Sequence, residues 1–136
     1  MPNSSRDFQR AARQRLSTAA FLLEHDYTLD AVYLSGYVIE CSLKALILAV
    51  TPEKERADIL KQITAGSRGH DREILSGLLK DKDPGIRIPV EIVCGFRRFP
   101  WTTSLRYETG RKRTGEARGY LKAAERVYNW VEGKLS

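Results

Sequence analysis

Apolar residues recur at steps of three and four along most of this chain, and the densest such stretch covers residues 30–49. At ~100° per residue, Tyr33, Tyr37, Glu40 and Lys44 share about a 60° arc. Leu34, Val38, Cys41, Ala45 and Leu48 lie to one side, with Ala31, Ser42 and Ala49 further round. A helix that is apolar over most of its circumference packs on several sides, so this segment is the expected centre of the fold, with one polar seam. Glu40 precedes Lys44 by four residues, the favourable order for an ion pair, which contributes only ~0.2–0.5 kcal/mol when exposed. A pair set in such apolar surroundings points to more than surface stabilisation.

The remaining elements follow the same logic. Ser4 to Asp7 reads as a capping box, after which Phe8, Ala11, Ala12, Leu16, Ala19, Leu22 and Leu23 predict a first helix to about Glu24. Residues 25–28 allow only an antiparallel return into the central helix. Thr51, Pro52 and Glu53 predict the start of a third helix running to about Ile63. Asp71 can cap a fourth, with Ile74, Leu75, Leu78 and Leu79 facing inward, and the turn at residues 81–85 ends it. Val90, Val93 and Phe96 fit a further helix to about Arg98, although the same residues suit a short strand. The last helix opens near Thr114 and presents Ala117, Tyr120, Leu121, Ala124, Val127, Tyr128 and Val131. The expected architecture is all-α, an up-and-down bundle of four to five helices forming one domain over residues 1–136.

Composition adds charge to this picture. Basic side chains outnumber acidic ones by 23 to 17, a net +6 that favours an anionic partner. The two cysteines, Cys41 and Cys94, sit among apolar residues, where reduced core thiols are expected, and neither they nor the histidines have metal-ligand spacing. No metal or cofactor is expected. The N-terminal residues lack an apolar core of the secretory type, and Glu40 and Lys44 interrupt the one segment near membrane length. A cytoplasmic protein with no membrane partner is the expectation.

The excess charge concentrates late in the chain. Between Cys94 and Arg113 stand Arg97, Arg98, Arg106, Arg111, Lys112 and Arg113 against one acid, Glu108, interleaved with Phe96, Phe99, Trp101 and Tyr107. Such a mixture can neutralise phosphates while stacking on unpaired bases. It equally describes a solvated loop whose aromatics close the ends of a bundle. Arg97, Arg98, Trp101, Arg111, Lys112 and Arg113 are the nucleic-acid-binding candidates. His70, between Arg68 and Arg72 at the start of a helix, reads either as a proton carrier beside an arginine or as a histidine bonding a neighbouring helix. Gly66 and Gly69 match the short Gly-x-x-Gly loop with which some α/β domains clamp a nucleic-acid backbone. Nothing matches a dinucleotide fingerprint, a P-loop, a His-Glu-x-x-His helix or a nucleophile elbow.

Taken in order, several of these features resemble the HEPN domain of prokaryotic proteins. The opening run from Ala11 to Leu23, then Tyr27, Ala31 and residues 36–47 with their Glu-x-x-x-Lys pair, resemble the family's first helical hairpin. His70 before a leucine-rich helix, Arg106 and Tyr107 in the late loop, and the alanine-containing last helix extend the resemblance over residues 7–132. It implies a small helical bundle, commonly a homodimer. Many such domains are metal-independent ribonucleases, or partners of minimal nucleotidyltransferases in toxin–antitoxin and defence systems. The ribonucleases carry an arginine and a histidine with four to six residues between them, which puts the arginine five to seven positions ahead. Here Ile63, Thr64 and Ala65 occupy those places before His70, and Thr18, Ala19 and Ala20 before His25.

The resemblance therefore carries over Glu40, Lys44, His70, Arg106 and Tyr107 as a ligand-binding site with no assigned catalytic residue. The leading expectation is a module that binds RNA, a nucleotide or a partner protein. One alternative is a degenerate ribonuclease using His70 with Arg106 or Arg72. The other is a dimerisation scaffold whose two-fold surface is formed by Tyr33, Tyr37, Glu40 and Lys44.

Overall fold

The computed structural model describes residues 2–136, apart from the side chains of Ser67 and Arg68. Six α-helices are present, α1 (Ser5–Glu24), α2 (Thr28–Val50), α3 (Arg56–Thr64), α4 (Arg72–Lys82), α5 (Val90–Arg98) and α6 (Thr114–Leu135), and no strand occurs among the described residues. α1 begins where the Ser4 hydroxyl accepts the Asp7 amide at 3.1 Å. Beyond its last residue, Glu24, Asp26 takes the left-handed conformation with φ 70° and reverses the chain directly into α2.

α2 is unbroken, and α1, α4 and α6 all pack against it. Val38, Leu43, Leu46 and Ile47 meet Phe8, Ala12, Ile63, Leu75, Leu79, Val127 and Val131 in the main core. Its apolar window is long enough to cross a membrane, but 78% of that window is buried against the rest of the bundle. α3 and α5 are short, nine residues each, and flank this arrangement. They bring the count to six rather than four to five. α3 also starts later than its sequence signal, because the Thr51 hydroxyl donates backward to the Ile47 carbonyl at 2.6 Å and so finishes α2 instead of capping α3. A 3-10 turn, Glu53–Glu55, fills the gap. Cys94 is exposed on α5 and does not join the core; Cys41 is partly covered.

The long connection between α5 and α6 is strapped down. Arg72 donates to the Phe99 carbonyl at 3.0 Å, the Tyr120 hydroxyl donates to the Pro100 carbonyl at 2.5 Å, and the Lys112 amide donates to the Thr28 hydroxyl at 3.0 Å. Trp101 lies over Gly36 of α2, where its ring nitrogen donates to the Tyr33 carbonyl at 3.1 Å. Together with Val32, Leu105, Ala117 and Tyr120 it forms a second, smaller core. The seat requires glycine, since a Cβ on Gly36 would stand 2.0 Å from the indole. Gly36→Ala should therefore lower stability by about 1–3 kcal/mol through overpacking. In a Trp130→Phe background it should also red-shift the Trp101 emission. Unchanged emission and an unchanged denaturation midpoint would contradict this packing.

Candidate functional site

The polar seam of α2 faces the 3-10 turn Gly66–His70 that leads into α4. That turn closes tightly because Gly69 has no side chain: a Cβ there would stand 2.4 Å from the Ile63 carbonyl oxygen and 3.5 Å from Lys44 Nζ. The second glycine of the Gly-x-x-Gly pattern is thus used for close backbone packing. Asp71 follows and caps α4, its carboxylate accepting the amides of Glu73 at 2.8 Å and Ile74 at 3.2 Å. His70 is thereby held over α2.

Glu40 is the meeting point. Lys44 Nζ donates to its Oε2 at 2.9 Å and His70 Nδ1 donates to its Oε1 at 2.6 Å. The Lys44 and Glu40 side chains are 6% and 8% exposed, whereas that of His70 is 35% exposed, so the imidazole is the part of the triad that reaches the surface. A carboxylate only accepts, which puts the proton of the neutral ring on Nδ1 and leaves Nε2 as a free acceptor. The Tyr37 ring meets His70 edge-on at 6.1 Å, and its hydroxyl lies 3.1 Å from that of Tyr33. Burial, the bond with Tyr33 and the nearby Glu40 charge hold the Tyr37 phenol well above its ordinary range; the Arg106 charge opposes them. Burial and the Glu40 charge likewise push the Cys41 thiol up to about 11, which makes it a poor nucleophile.

Beside His70 opens a cleft of about 400 Å³, walled by Arg72, Phe96, Arg97, Trp101 and Thr102, with Asp71 and Glu73 at the same rim. Arg72 is 8% exposed and has no carboxylate partner. One of its terminal nitrogens serves Phe99, while Nε and the other terminal nitrogen have no acceptor among the described residues, and the Phe96 ring lies 5.5 Å from the guanidinium carbon. Burial pushes this guanidinium down to about 10, so it remains a cation at neutral pH. Arg68, the other arginine beside His70, has its side chain outside the described residues.

The sequence candidates divide accordingly. Glu40, Lys44 and His70 converge, and Arg97 lines the same cleft as His70. Arg106 is exposed, donates to the Thr103 carbonyl and lies 5.5 Å from the ring of Tyr107, which is itself 79% exposed. Only its field reaches the site, through Tyr37. Arg98 covers the Phe99 ring at 5.8 Å. Arg111 pairs with Asp26 of the α1–α2 turn at 2.5 Å and Lys112 with Glu108 at 3.1 Å, and neither lines the His70 cleft as Arg97 does. Trp101, at 9% exposure with its ring nitrogen used, is a core residue and not a base-stacking platform. Glu40 and Lys44 are sealed inside their own chain, so they cannot form the two-fold surface of the scaffold reading. Arg72 is the residue whose importance sequence reasoning understated; its neighbour His70 was the only signal.

The sequence profile of the HEPN domain matches residues 5–134, nearly the whole chain. The chain belongs to the HEPN family. No curated protein and no solved structure matches it. Within this HEPN domain the arginines that share a cleft with His70, among the described residues, are Arg72, just downstream, and Arg97 on α5. They stand in different places from the arginine of the ribonuclease motif.

The triad makes a stability prediction. Lys44 Nζ has Glu40 as its hydrogen-bond partner, and breaking a buried pair by removing one member costs about 3–5 kcal/mol. Glu40→Ala should lose that much in urea denaturation. Glu40→Leu combined with Lys44→Met should recover most of it, because no buried charge is then left alone. A loss below about 1 kcal/mol for Glu40→Ala would place the pair in solvent.

Proposed function

We propose that this HEPN domain binds single-stranded RNA, gripping a phosphate in the cleft between His70, Arg72 and Arg97. The observation that carries the reading is the cleft itself, which a histidine oriented by a buried carboxylate shares with a buried arginine that forms no ion pair among the described residues. Arginine matches phosphate geometry through its planar fork, and a cation already stripped of water binds an anion more strongly than a solvated one. The domain would work in the cytoplasm, as a homodimer or beside a minimal nucleotidyltransferase, in a toxin–antitoxin or defence pair.

Losing a charge-assisted hydrogen bond worth ~1.5–3 kcal/mol weakens binding about tenfold or more. Arg97→Ala and His70→Ala should each weaken a fluorescein-labelled oligouridylate by that factor in anisotropy titrations. Replacing Arg111, Lys112 and Arg113 together by alanine should weaken it less, since two of those cations already have acidic partners. Binding that ignores added salt, or that survives both cleft substitutions unchanged, would contradict the proposal.

A second reading rests on the 2.6 Å contact between Glu40 and His70. With Nδ1 tied to the carboxylate, Nε2 can take the proton of a ribose 2′-hydroxyl. That oxygen then attacks phosphorus and the 5′-oxygen leaves with a proton from solvent, while an arginine offsets the added phosphorane charge. Cleavage that persists in chelator and disappears in His70→Ala would favour this reading. Binding without cleavage favours the first.

A further inference from the structure

A different cleft opens on the far flank of the bundle, between the first half of α1, the C-terminal end of α2, the start of α3 and the end of α6. Its volume is about 590 Å³, and Arg6, Arg10, Arg13 and Arg56 line it. Ala49, which also lines it, lies nine positions after Glu40 on α2, half a turn round the helix from the His70 site at ~100° per residue. The two clefts therefore face opposite sides of α2.

Among the described residues none of these four arginines forms an ion pair. The acid in the cleft, Glu132, accepts from the buried Gln9 amide at 2.9 Å. Arg6, Arg10 and Arg13 are spaced by four and three residues and share one face of α1, with ~6 and ~4.5 Å between them along the axis. Like charges at these spacings repel. Arg6 also stands in the first turn, at the positive end of the helix dipole, where a cation is unfavourable. Against the four arginines stand Asp7 in that turn and the Glu132 carboxylate, so a net positive charge remains. An anion in the cleft would offset all of it at once.

The geometry points to a second binding site, for the phosphate backbone of a nucleic acid strand, built from Arg6, Arg10, Arg13 and Arg56. A row of regularly spaced planar guanidiniums suits a polymer carrying one charge per unit. An acidic protein segment would need apolar anchors as well, and the cleft offers little beyond Ala49, Leu135 and the half-buried Tyr128 ring. This site is independent of the His70 cleft, and either can fail without the other.

Amide shifts mapped by NMR on addition of an unlabelled oligouridylate test it. Shifts are expected over residues 5–13 and 128–135. Arg6→Gln/Arg10→Gln/Arg13→Gln, three exposed positions on a helix, should abolish those shifts. The slope of log affinity against log salt should then fall by about 2, from ~0.7 for each single-strand phosphate lost. The Arg10→Gln/Arg13→Gln pair gives the same readout if the triple variant does not fold. Shifts around residues 70–73 and 97–103 report on the His70 cleft separately, and Arg97→Ala should remove only those. The site is overturned if residues 5–13 do not respond to the oligonucleotide, or if hexaglutamate shifts them equally. It is also overturned if concentrating the protein alone produces the same shifts, which would make the face an interface between copies.

Discussion

A buried carboxylate constrains this structure more than any other group. Glu40 sits on the most enclosed helix, where an unpartnered charge could not be tolerated. It is satisfied from two directions, by Lys44 one turn later on the same helix and by His70 from the turn ahead of α4. The first contact is local and would form in any α2 helix. The second spans thirty residues and fixes where α4 begins. Because Gly69 and Asp71 bracket His70 with a close packing contact and a helix cap, the imidazole is held on both sides. Orientation of the histidine thus follows from the same interactions that make the core tolerate its acid.

The second constraint is the strap between α5 and α6. Arg72, Tyr120 and Trp101 each spend a buried donor on a backbone carbonyl to hold the chain across the N-terminal half of α2. Arg72 does so at a cost, since two of its nitrogens find no acceptor and buried polar groups left unmet destabilise a fold. A cation kept in that condition beside an oriented histidine is what distinguishes this cleft from an ordinary surface depression. The α1 flank presents the complementary case, exposed arginines that outnumber the acids around them and form no ion pair among the described residues.

The central helix, its Glu40–Lys44 pair and the all-α class were legible because period and composition along α2 admit no other arrangement. The capping of α1 and α4 was legible for the same local reason. What remained hidden depended on tertiary contacts. Thr51 carries a helix-start signal, yet its hydroxyl bonds backward to α2. Trp101 amid cations reads as a nucleic-acid contact until the gap above Gly36 is known to be its seat. The cations of the late loop read as one patch, but Arg111 and Lys112 pair with Asp26 and Glu108 whereas Arg97 lines the His70 cleft. Arg72 was legible as a possible partner of His70, but nothing local reveals that it is buried and bonded to Phe99.

The tautomer of His70 tests the central claim most directly, and long-range proton–nitrogen NMR on labelled protein reads it at about pH 8, where an ordinary histidine is neutral. The account predicts a proton on Nδ1 and a bare Nε2 in the native protein, with that preference lost in Glu40→Leu/Lys44→Met. A native ring protonated on Nε2, or a preference indifferent to loss of the carboxylate, would contradict it.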